Sequence, residues 1–387
     1  MRAPDEEDTQ VPVPELLEIV LERGASDLHL TAGAPPTIRL HGDLIRLVDY
    51  PILSPRALQG MIYAILPQKM RERLEGELEL DMSYALPGKA RFRVNVYYQR
   101  DSIGAAFRLI PYEIKTVESL GLPSVVADLA RYPRGFVVVT GPTGSGKSTS
   151  LAGMVDIVNR ERSAHIMTVE DPIEFLHKHQ QCIVNQREVG SDTHSFAQAL
   201  KHVLRQDPDV ILVGEMRDLE TISTAITAAE TGHLVFATLH TQDAPQTIDR
   251  IIDVFPPHQQ QQVRVQLATT LQGIVTQQLL QTSDGRSRAV ACEVLICTPA
   301  VRNLIREGKV HQIYSIMQAG GRFGMQTMDQ ALANLVKEGK ISQQLAYERS
   351  HDPEELNRLI GGAGASYGAA AGAAGSAGIT TSGGWGT

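Results

Sequence analysis

The sequence contains few cysteines and no arrangement of them that suits a zinc site. Its three cysteines, Cys182, Cys292 and Cys297, form no CxxC pair and have no matching set of histidines for tetrahedral coordination. Free cysteines are usually buried, and so few in so long a chain are typical of a reducing compartment. We therefore expect three buried thiols and no zinc.

Long apolar runs and an excess of basic residues are also absent from the sequence. No apolar stretch approaches the roughly 20 residues that a membrane-spanning helix requires, and the acidic N-terminal residues lack the apolar segment of a signal peptide. The formal net charge of -8 provides no general attraction to phosphate backbones. We expect a cytoplasmic protein without a nucleic-acid partner.

The first part of the chain has the pattern of a small α+β domain. Apolar residues among acidic ones at residues 14–23 predict an amphipathic helix. Strand-like segments then alternate with turn signals such as Pro35-Pro36. Because clear periodicity is then lost, we place an N-terminal domain at residues 1–113 and a linker at residues 114–122.

The rest of the chain predicts a wound α/β domain at residues 123–360. Four continuous apolar runs alternate with helical stretches, which is typical of a parallel sheet that is covered on both faces. These runs are residues 136–139, 166–169, 210–213 and 234–239. Farther on, Asp284-Gly285 between two strand-like segments predicts a hairpin. Residues 361–387 are almost entirely Gly, Ala, Ser and Thr, which predicts a disordered tail.

Residues 141–149 read GPTGSGKST and match the full P-loop pattern between a predicted strand and a predicted helix. Glycines let the backbone curl so that successive amides point inward and bind phosphate oxygens at the positive end of the helix. Lys147 would pair with the β- and γ-phosphates, and the Ser148 hydroxyl would bind magnesium. The sequence therefore predicts a site for ATP with Mg²⁺. Its predicted residues are Gly141, Pro142, Thr143, Gly144, Ser145, Gly146, Lys147, Ser148 and Thr149.

Acidic residues end two of the apolar strands, at the edge where a parallel sheet binds its ligands. Glu215 follows the strand at residues 210–213 and is the first candidate to polarise the attacking water. The acidic cluster from Glu170 to Glu174 closes another strand, and such a cluster needs a cation to offset its repulsion. The predicted metal ligands are Ser148, Glu170 and Glu215.

His240 ends the strand at residues 234–239, so its imidazole should lie at the same edge of the sheet. There it could report on the γ-phosphate, or it could be a hydrogen-bonded structural histidine. Its position alone leaves both interpretations open.

Four motifs in one order resemble the secretion ATPase superfamily, which powers type II secretion and type IV pili. They are GPTGSGKST, VEDPIE, DPDVILVGEMRD and TGHLVFATLHT. Within that superfamily the chain is most similar to the pilus retraction ATPases, over about residues 14–360. The segments that carry this likeness are SDLHLTAGAPPTIRLHGDL, RFRVNVYYQR and AVRNLIRE.

This resemblance implies a PAS-like N-terminal domain, joined by a flexible linker to a RecA-like ATPase domain, and assembly as a hexameric ring. It implies that Glu215 is the catalytic glutamate and that Glu174 assists the water or the metal. It also implies that His240 and His233 belong to the site. The chain would hydrolyse ATP to drive pilus retraction at the inner face of the cytoplasmic membrane, together with an inner-membrane platform protein and other pilus machinery.

Ring ATPases of this kind bind nucleotide between subunits, so the resemblance also implies arginines that reach a neighbouring site. Arg93 and Arg108 are the candidates, with Arg100 close behind. They would stabilise charge on the transferred phosphoryl group, as an arginine finger does.

Other functions stay open on the sequence. A pilus-extension or type II secretion ATPase commonly carries an inserted tetracysteine zinc module, which this sequence lacks. A nucleic-acid translocase would need a basic stripe interleaved with aromatic residues. A regulatory subunit that binds ATP without turnover is disfavoured by the presence of Lys147, Glu174 and Glu215.

Overall fold

A computed structural model describes residues 11–40, 42–110 and 113–361. The predicted tail at residues 361–387 lies outside this range, except for Gly361. None of the helices in the described residues combines the length and the apolar character that crossing a membrane requires. The three cysteines are free and buried, as the sequence predicts.

The N-terminal domain is an antiparallel sheet with helices against it, which confirms the α+β prediction. Its helices are α1 (Val13–Glu22), α2 (Pro55–Ile65) and α3 (Gln68–Glu77). Its strands are β1 (Asp27–Thr31), β2 (Thr37–Leu40), β3 (Asp43–Arg46), β4 (Glu79–Leu86), β5 (Ala90–Gln99) and β6 (Ser102–Ile110), in the spatial order β3-β2-β1-β6-β5-β4. Helix α1 forms where the sequence predicts it because Leu16, Leu17 and Val20 lie on one buried face.

The predicted linker is packed against the C-terminal domain. Residues 113–123 form no helix or strand, but Val117 and Leu122 are buried in the core of that domain. Gly153 lies against the same segment, since a Cβ there would come 3.0 Å from the carbonyl oxygen of Lys115. The flexible linker that the resemblance implied is therefore held in place over part of its length, because its apolar side chains gain burial there.

The C-terminal domain contains one seven-stranded sheet. Its strands are β7 (Gly135–Thr140), β8 (His165–Glu170), β9 (Ile183–Glu188), β10 (Val210–Val213), β11 (Leu234–Leu239), β12 (Leu271–Gln281) and β13 (Arg288–Ile296), in the spatial order β13-β12-β7-β11-β10-β8-β9. Neighbouring strands are parallel except β12 and β13, which form the hairpin predicted at Asp284-Gly285. The four strands predicted from apolar runs, β7, β8, β10 and β11, are confirmed.

Helices cover this sheet and leave loops at its carboxyl edge. They are α4 (Ser124–Ala130), α5 (Lys147–Glu161), α6 (Phe196–Val203), α7 (Leu219–Glu230), α8 (Ala244–Asp253) and α9 (Pro257–Thr270). Every residue of β7, β10 and β11 is buried. Burying one Val, Leu or Phe side chain contributes about 1.5–3 kcal/mol, so these strands fix the centre of the domain. Because β7, β8, β10 and β11 are parallel, their carboxyl ends meet at one edge.

Further helices complete the described residues, and the last three of them share a core with Leu280 and Ala291 of the hairpin. They are α10 (Pro299–Glu307), α11 (Ile313–Ala319), α12 (Met328–Lys337), α13 (Gln343–Arg349) and α14 (Pro353–Ile360). The buried carboxylate of Glu293 on β13 accepts hydrogen bonds from the backbone N–H groups of Ala244 (2.8 Å) and Met328 (3.3 Å). It therefore joins the starts of α8 and α12, and its burial raises the pKa of Glu293 to about 7.

Candidate nucleotide-binding site

The P-loop connects the end of β7 to the start of α5. Gly141, Gly144 and Gly146 have φ angles of 135°, 79° and 91°, in the left-handed region that residues with side chains disfavour. A Cβ on Gly141 would lie 2.3 Å from the carbonyl oxygen of Gln277, on the neighbouring strand β12. The loop can therefore take this path only with glycine at position 141, and such a path is what lets successive amides face a phosphate.

Replacing Gly141 by alanine should weaken nucleotide binding and destabilise the domain. The new methyl group would collide with the backbone of β12, and left-handed backbone strain would add about 1–2 kcal/mol. We expect ADP affinity, measured by titration calorimetry, to fall at least about tenfold, since the loop must move to relieve the collision.

Gly232→Ala is the matched control. Its φ is also positive, at 111°, but an added methyl group meets no atom within 4 Å there. This variant therefore has the backbone strain of a positive φ but no steric collision with a neighbouring strand. It should bind ADP like the native chain. An unchanged ADP affinity in Gly141→Ala would contradict the importance of this close approach.

Lys147, the first residue of α5, is held against the P-loop. Its Nζ donates hydrogen bonds to the carbonyl oxygens of Gly141 (2.8 Å) and Pro142 (3.0 Å). Burial lowers the pKa of Lys147, while the carboxylates of Glu215 and Glu174 counteract this effect. The ammonium group therefore lies between the loop and the acidic side of the site, where the charge of a bound phosphate would need compensation.

Glu215 lies just beyond the end of β10. Its Oε1 is 2.9 Å from Nε2 of His240, and its Oε2 accepts a hydrogen bond from Nη2 of Arg217 at 2.6 Å. Burial alone would raise the pKa of Glu215, but Arg217 and His240 hold it below its ordinary value. The carboxylate is therefore ionised and fixed in orientation, which suits a group that positions water or a cation.

The acidic segment after β8 contains two carboxylates in different surroundings. Glu170 accepts hydrogen bonds from Oγ1 of Thr168 (2.6 Å) and Nε2 of Gln186 (3.2 Å), and burial raises its pKa. Glu174, by contrast, is exposed on the wall of the cleft. Glu170 is therefore a poorer metal ligand than the sequence suggests, because its carboxylate already accepts two hydrogen bonds and its ionised form is disfavoured.

The cleft offers few protein ligands for a divalent cation. Within the part of the chain that the structure describes, no group of three or more His, Cys, Asp or Glu residues could hold a metal ion. Mg²⁺ is commonly bound by one or two protein oxygens together with substrate phosphates and water. Ser148 and Glu215 line the cleft and fit that donor set, and Glu170 also belongs to the lining.

The two predicted site histidines lie at opposite ends of β11. His240 follows the last residue of the strand and contacts Glu215 in the cleft. His233 precedes the first residue, and its Nδ1 is 2.9 Å from the carbonyl oxygen of Ala228. The six strand residues between them rise by roughly 3.3 Å each. Because the strand is extended, the structure does not bring His233 to the cleft of its own chain, and its assignment to the site stays a prediction.

The candidate arginines lie in the N-terminal domain, outside the cleft of their own chain. Arg93 and Arg108 are directly opposite each other on β5 and β6. Nε of Arg108 donates a hydrogen bond to Oδ1 of Asp27 at 2.7 Å, although this side chain remains largely exposed. Arg100 lies in the turn between the two strands. Since these three described arginines do not line the cleft, a role at a nucleotide would require the site of another copy.

Most of the P-loop, the acidic residues Glu170, Glu174 and Glu215, and His240 share one cleft of about 560 Å³, a size that suits a nucleotide. Its lining includes two residues of the β12–β13 hairpin that sequence reasoning missed, Leu279 and Arg288. They lie far from the P-loop in the chain, and no local motif marks them. Arg217 was also missed, although it lies two residues after Glu215 within one of the motifs.

Comparisons with known proteins agree with this geometry. Residues 112–358 match the family model described as type II/IV secretion system protein. The chain is 52% identical to the type IV pilus retraction ATPase PilT of Pseudomonas aeruginosa, over 89% of this chain and 99% of that protein. It is 49% identical to the twitching motility protein of Neisseria gonorrhoeae, over 84% of this chain and 87% of that protein.

A solved structure is similar over both domains. The crystal structure of the pilus retraction motor PilT with bound ADP has 52% sequence identity and a TM-score of 0.84, over 90% of this chain and 99% of that one. The chain therefore belongs to the type II/IV secretion system protein family, among its pilus retraction ATPases.

Proposed function

We propose that this chain is the motor subunit that drives retraction of a type IV pilus with energy from ATP hydrolysis. The chain is an ATP-hydrolysing enzyme of its family. The observation that carries the proposal is the cleft, in which Lys147 of the P-loop and the paired Glu215 and His240 face the same volume. The high identity to a retraction ATPase along nearly its whole length supports the mechanical part of the proposal.

ATP would bind with its β- and γ-phosphates at the N-terminus of α5. P-loop amides and the positive end of the helix attract the phosphate oxygens. Lys147 would exchange its acceptors on Gly141 and Pro142 for phosphate oxygens, which are stronger acceptors because they carry full negative charge. Ser148 and Glu215, together with the nucleotide, would hold Mg²⁺, which would neutralise part of the phosphate charge.

Hydrolysis requires a water molecule in line with the γ-phosphate, and Glu215 is the group that would orient it. Arg217 and His240 hold this carboxylate from two sides. Glu174, exposed on the cleft wall, would assist with the same water or with the metal. His240 would respond to the γ-phosphate through its contact with Glu215. Lys147 would stabilise the charge that develops on the phosphoryl oxygens.

The ring arrangement would place the N-terminal domain of one copy at the cleft of the next. Arg93 and Arg108 support this arrangement because two exposed guanidinium groups lie directly opposite each other on neighbouring strands. Arg108 is already paired with Asp27, whereas Arg93 has no ion-pair partner among the described residues, so the two guanidinium groups would present both a fixed and a free cation to a phosphate. Arg100 is the third candidate for this contact. Electron microscopy of the purified chain with nucleotide would test for six-fold rings.

Complementation between inactive variants tests whether the arginines act on a neighbouring copy. Arg93→Ala keeps an intact cleft, whereas Lys147→Ala keeps intact arginines. We expect each variant alone to be inactive and an equal mixture to regain up to about a quarter of the native ATPase rate, since some interfaces then pair an intact cleft with an intact arginine. Arg108→Ala mixed with Arg93→Ala is the control without recovery. Absence of recovery with Lys147→Ala at every ratio would exclude action across the interface.

A deletion of the gene tests retraction against extension. The motor would work at the inner face of the cytoplasmic membrane with an inner-membrane platform protein, and we expect neither zinc nor nucleic acid among its ligands. Loss of a retraction motor should leave surface pili in place and abolish twitching motility. The native chain should restore twitching, and Glu215→Gln should not. Loss of surface pili on deletion would instead indicate an extension motor.

A further inference from the structure

One ion pair joins the N-terminal domain to the C-terminal domain in the described residues. Nη2 of Arg91 lies 3.5 Å from Oε2 of Glu188. Arg91 is on β5, and Glu188 is the last residue of β9, at the edge of the C-terminal sheet. The two side chains are only 23% and 5% exposed, so salt and water screen this pair less than a pair on the surface.

Glu188 also holds the acidic segment of the nucleotide cleft. The same Oε2 accepts a hydrogen bond from the backbone N–H of Ile173 at 3.1 Å, and Oε1 accepts one from Oγ of Ser191 at 3.2 Å. Ile173 is buried between Pro172 and Glu174, which line the cleft. One carboxylate oxygen therefore connects a guanidinium of the N-terminal domain with the backbone that carries Glu174.

The guanidinium of Arg91 is held in place on its own side of the contact. Its Nη2 donates a hydrogen bond to Oγ of Ser83 on β4 at 2.6 Å. Its buried Nε has no hydrogen-bond partner in the described residues, so the guanidinium depends on Glu188 for much of its compensation. The guanidinium of Arg91 therefore lies at the edge of the N-terminal domain with one of its N–H groups unpaired within the described part of the chain. Its hydrogen bond to Ser83 holds it facing Glu188.

Movement of the N-terminal domain away from this contact would affect the acidic segment. Glu188 would lose the cation that pairs with it in the described residues, and a buried charge without a partner is costly. The carboxylate would then turn toward water and release the N–H of Ile173. The segment that carries Glu174 would lose one of the bonds that hold it at the cleft wall.

We propose that Glu188 is a positioning residue for the acidic segment, and that Arg91 makes this positioning depend on contact between the two domains. When the pair is formed, Glu174 is held at the cleft and turnover is fast. When the pair is broken, the segment is released and turnover slows, while the P-loop and its affinity for nucleotide are unaffected. The mechanism rests on the proposed role of Glu174 in hydrolysis. It lets each copy couple hydrolysis to the position of its own N-terminal domain.

A double-mutant cycle in the full chain tests this proposal. Glu188→Gln keeps an oxygen that can accept from Ile173 but loses the charge, and Arg91→Gln loses the guanidinium. We expect each variant to lower kcat about fivefold to tenfold and to leave KM within about twofold, because only the acidic side of the cleft is disturbed. The double variant should be no slower than the single variants, since both remove one interaction.

Arg73→Gln is the control for removing an arginine from the N-terminal domain. Arg73 pairs with Glu77 on the exposed face of α3 and does not line the cleft. This variant should keep the native kcat. Losses of kcat that add in the Arg91→Gln, Glu188→Gln double variant would overturn the proposal, because the two residues would then act independently.

Hydrogen exchange supplies a measurement that does not depend on ATPase activity. We expect the Ile173 amide to exchange faster in Arg91→Gln than in Arg73→Gln, as followed by mass spectrometry of a peptide from the acidic segment. Unchanged exchange would overturn the proposed link between the domains. A native kcat in Glu174→Gln would refute only the proposed role of Glu174 in hydrolysis. The exchange rate of the Ile173 amide would still decide whether Arg91 controls the acidic segment.

Discussion

The Glu215→Gln chain is expected to bind ATP with nearly native affinity and to hydrolyse it at least about 100-fold more slowly, because catalytic acids and bases contribute factors of this size. In the native chain both carboxylate oxygens have charged or polar partners, Arg217 and His240. Glutamine has almost the same shape but lacks the negative charge and presents an amide group to one of these partners. The P-loop remains unchanged, so binding and turnover should separate.

Phosphate release by the purified chain and titration calorimetry with a non-hydrolysable ATP analogue measure the two effects separately. Glu338→Gln is the matched control, since Glu338 pairs with Lys340 beyond the end of α12 and does not line the cleft. It should hydrolyse ATP at the native rate. A native rate in Glu215→Gln would remove this carboxylate from the mechanism, and a large loss of affinity for the ATP analogue would assign it to binding instead.

The strands that position Glu215 were predictable because they are buried on both faces. Strands β7, β10 and β11 contain only buried residues, so they are continuous apolar runs in the sequence. Strand β9 is an edge strand with the polar sequence IVNQRE, and all four residues of β3 are exposed. Such edge strands form because they hydrogen-bond to a neighbouring strand. Since they lack a continuous apolar run, the hydrophobic pattern of the sequence does not reveal them.

Some residues of the site could be predicted from nearby sequence motifs, whereas others reach the site only because distant strands pair. Lys147, Glu215 and His240 follow the ends of apolar strands, and the rule that parallel sheets bind ligands at their carboxyl edge locates them. His233 shares one motif with His240, but an extended strand separates the two, and His233 does not line the cleft of its own chain. The contribution of Arg288 was not predictable, since no local pattern records which distant strands become neighbours.

Lys147→Ala is expected to weaken ATP binding by about 100-fold or more and to abolish measurable hydrolysis. The ammonium group would bond to phosphate oxygens, and a hydrogen bond to a charged group contributes about 1.5–3 kcal/mol. Loss of two such bonds corresponds to an increase in Kd of about 100-fold or more. The variant also leaves the carbonyl oxygens of Gly141 and Pro142 without their donor, which loosens the loop before any nucleotide binds.

Titration calorimetry with a non-hydrolysable ATP analogue and Mg²⁺ measures the loss of affinity. Lys340→Ala is the control, since Lys340 is exposed and pairs with Glu338. Lys147→Arg separates charge from shape: it keeps the cation, but a planar guanidinium does not fit where a compact ammonium lies 2.8 Å and 3.0 Å from two loop carbonyls. We expect it to bind the analogue poorly as well. Tight binding by Lys147→Ala would mean that the loop amides alone hold the phosphates, and the assigned role of Lys147 would then be wrong.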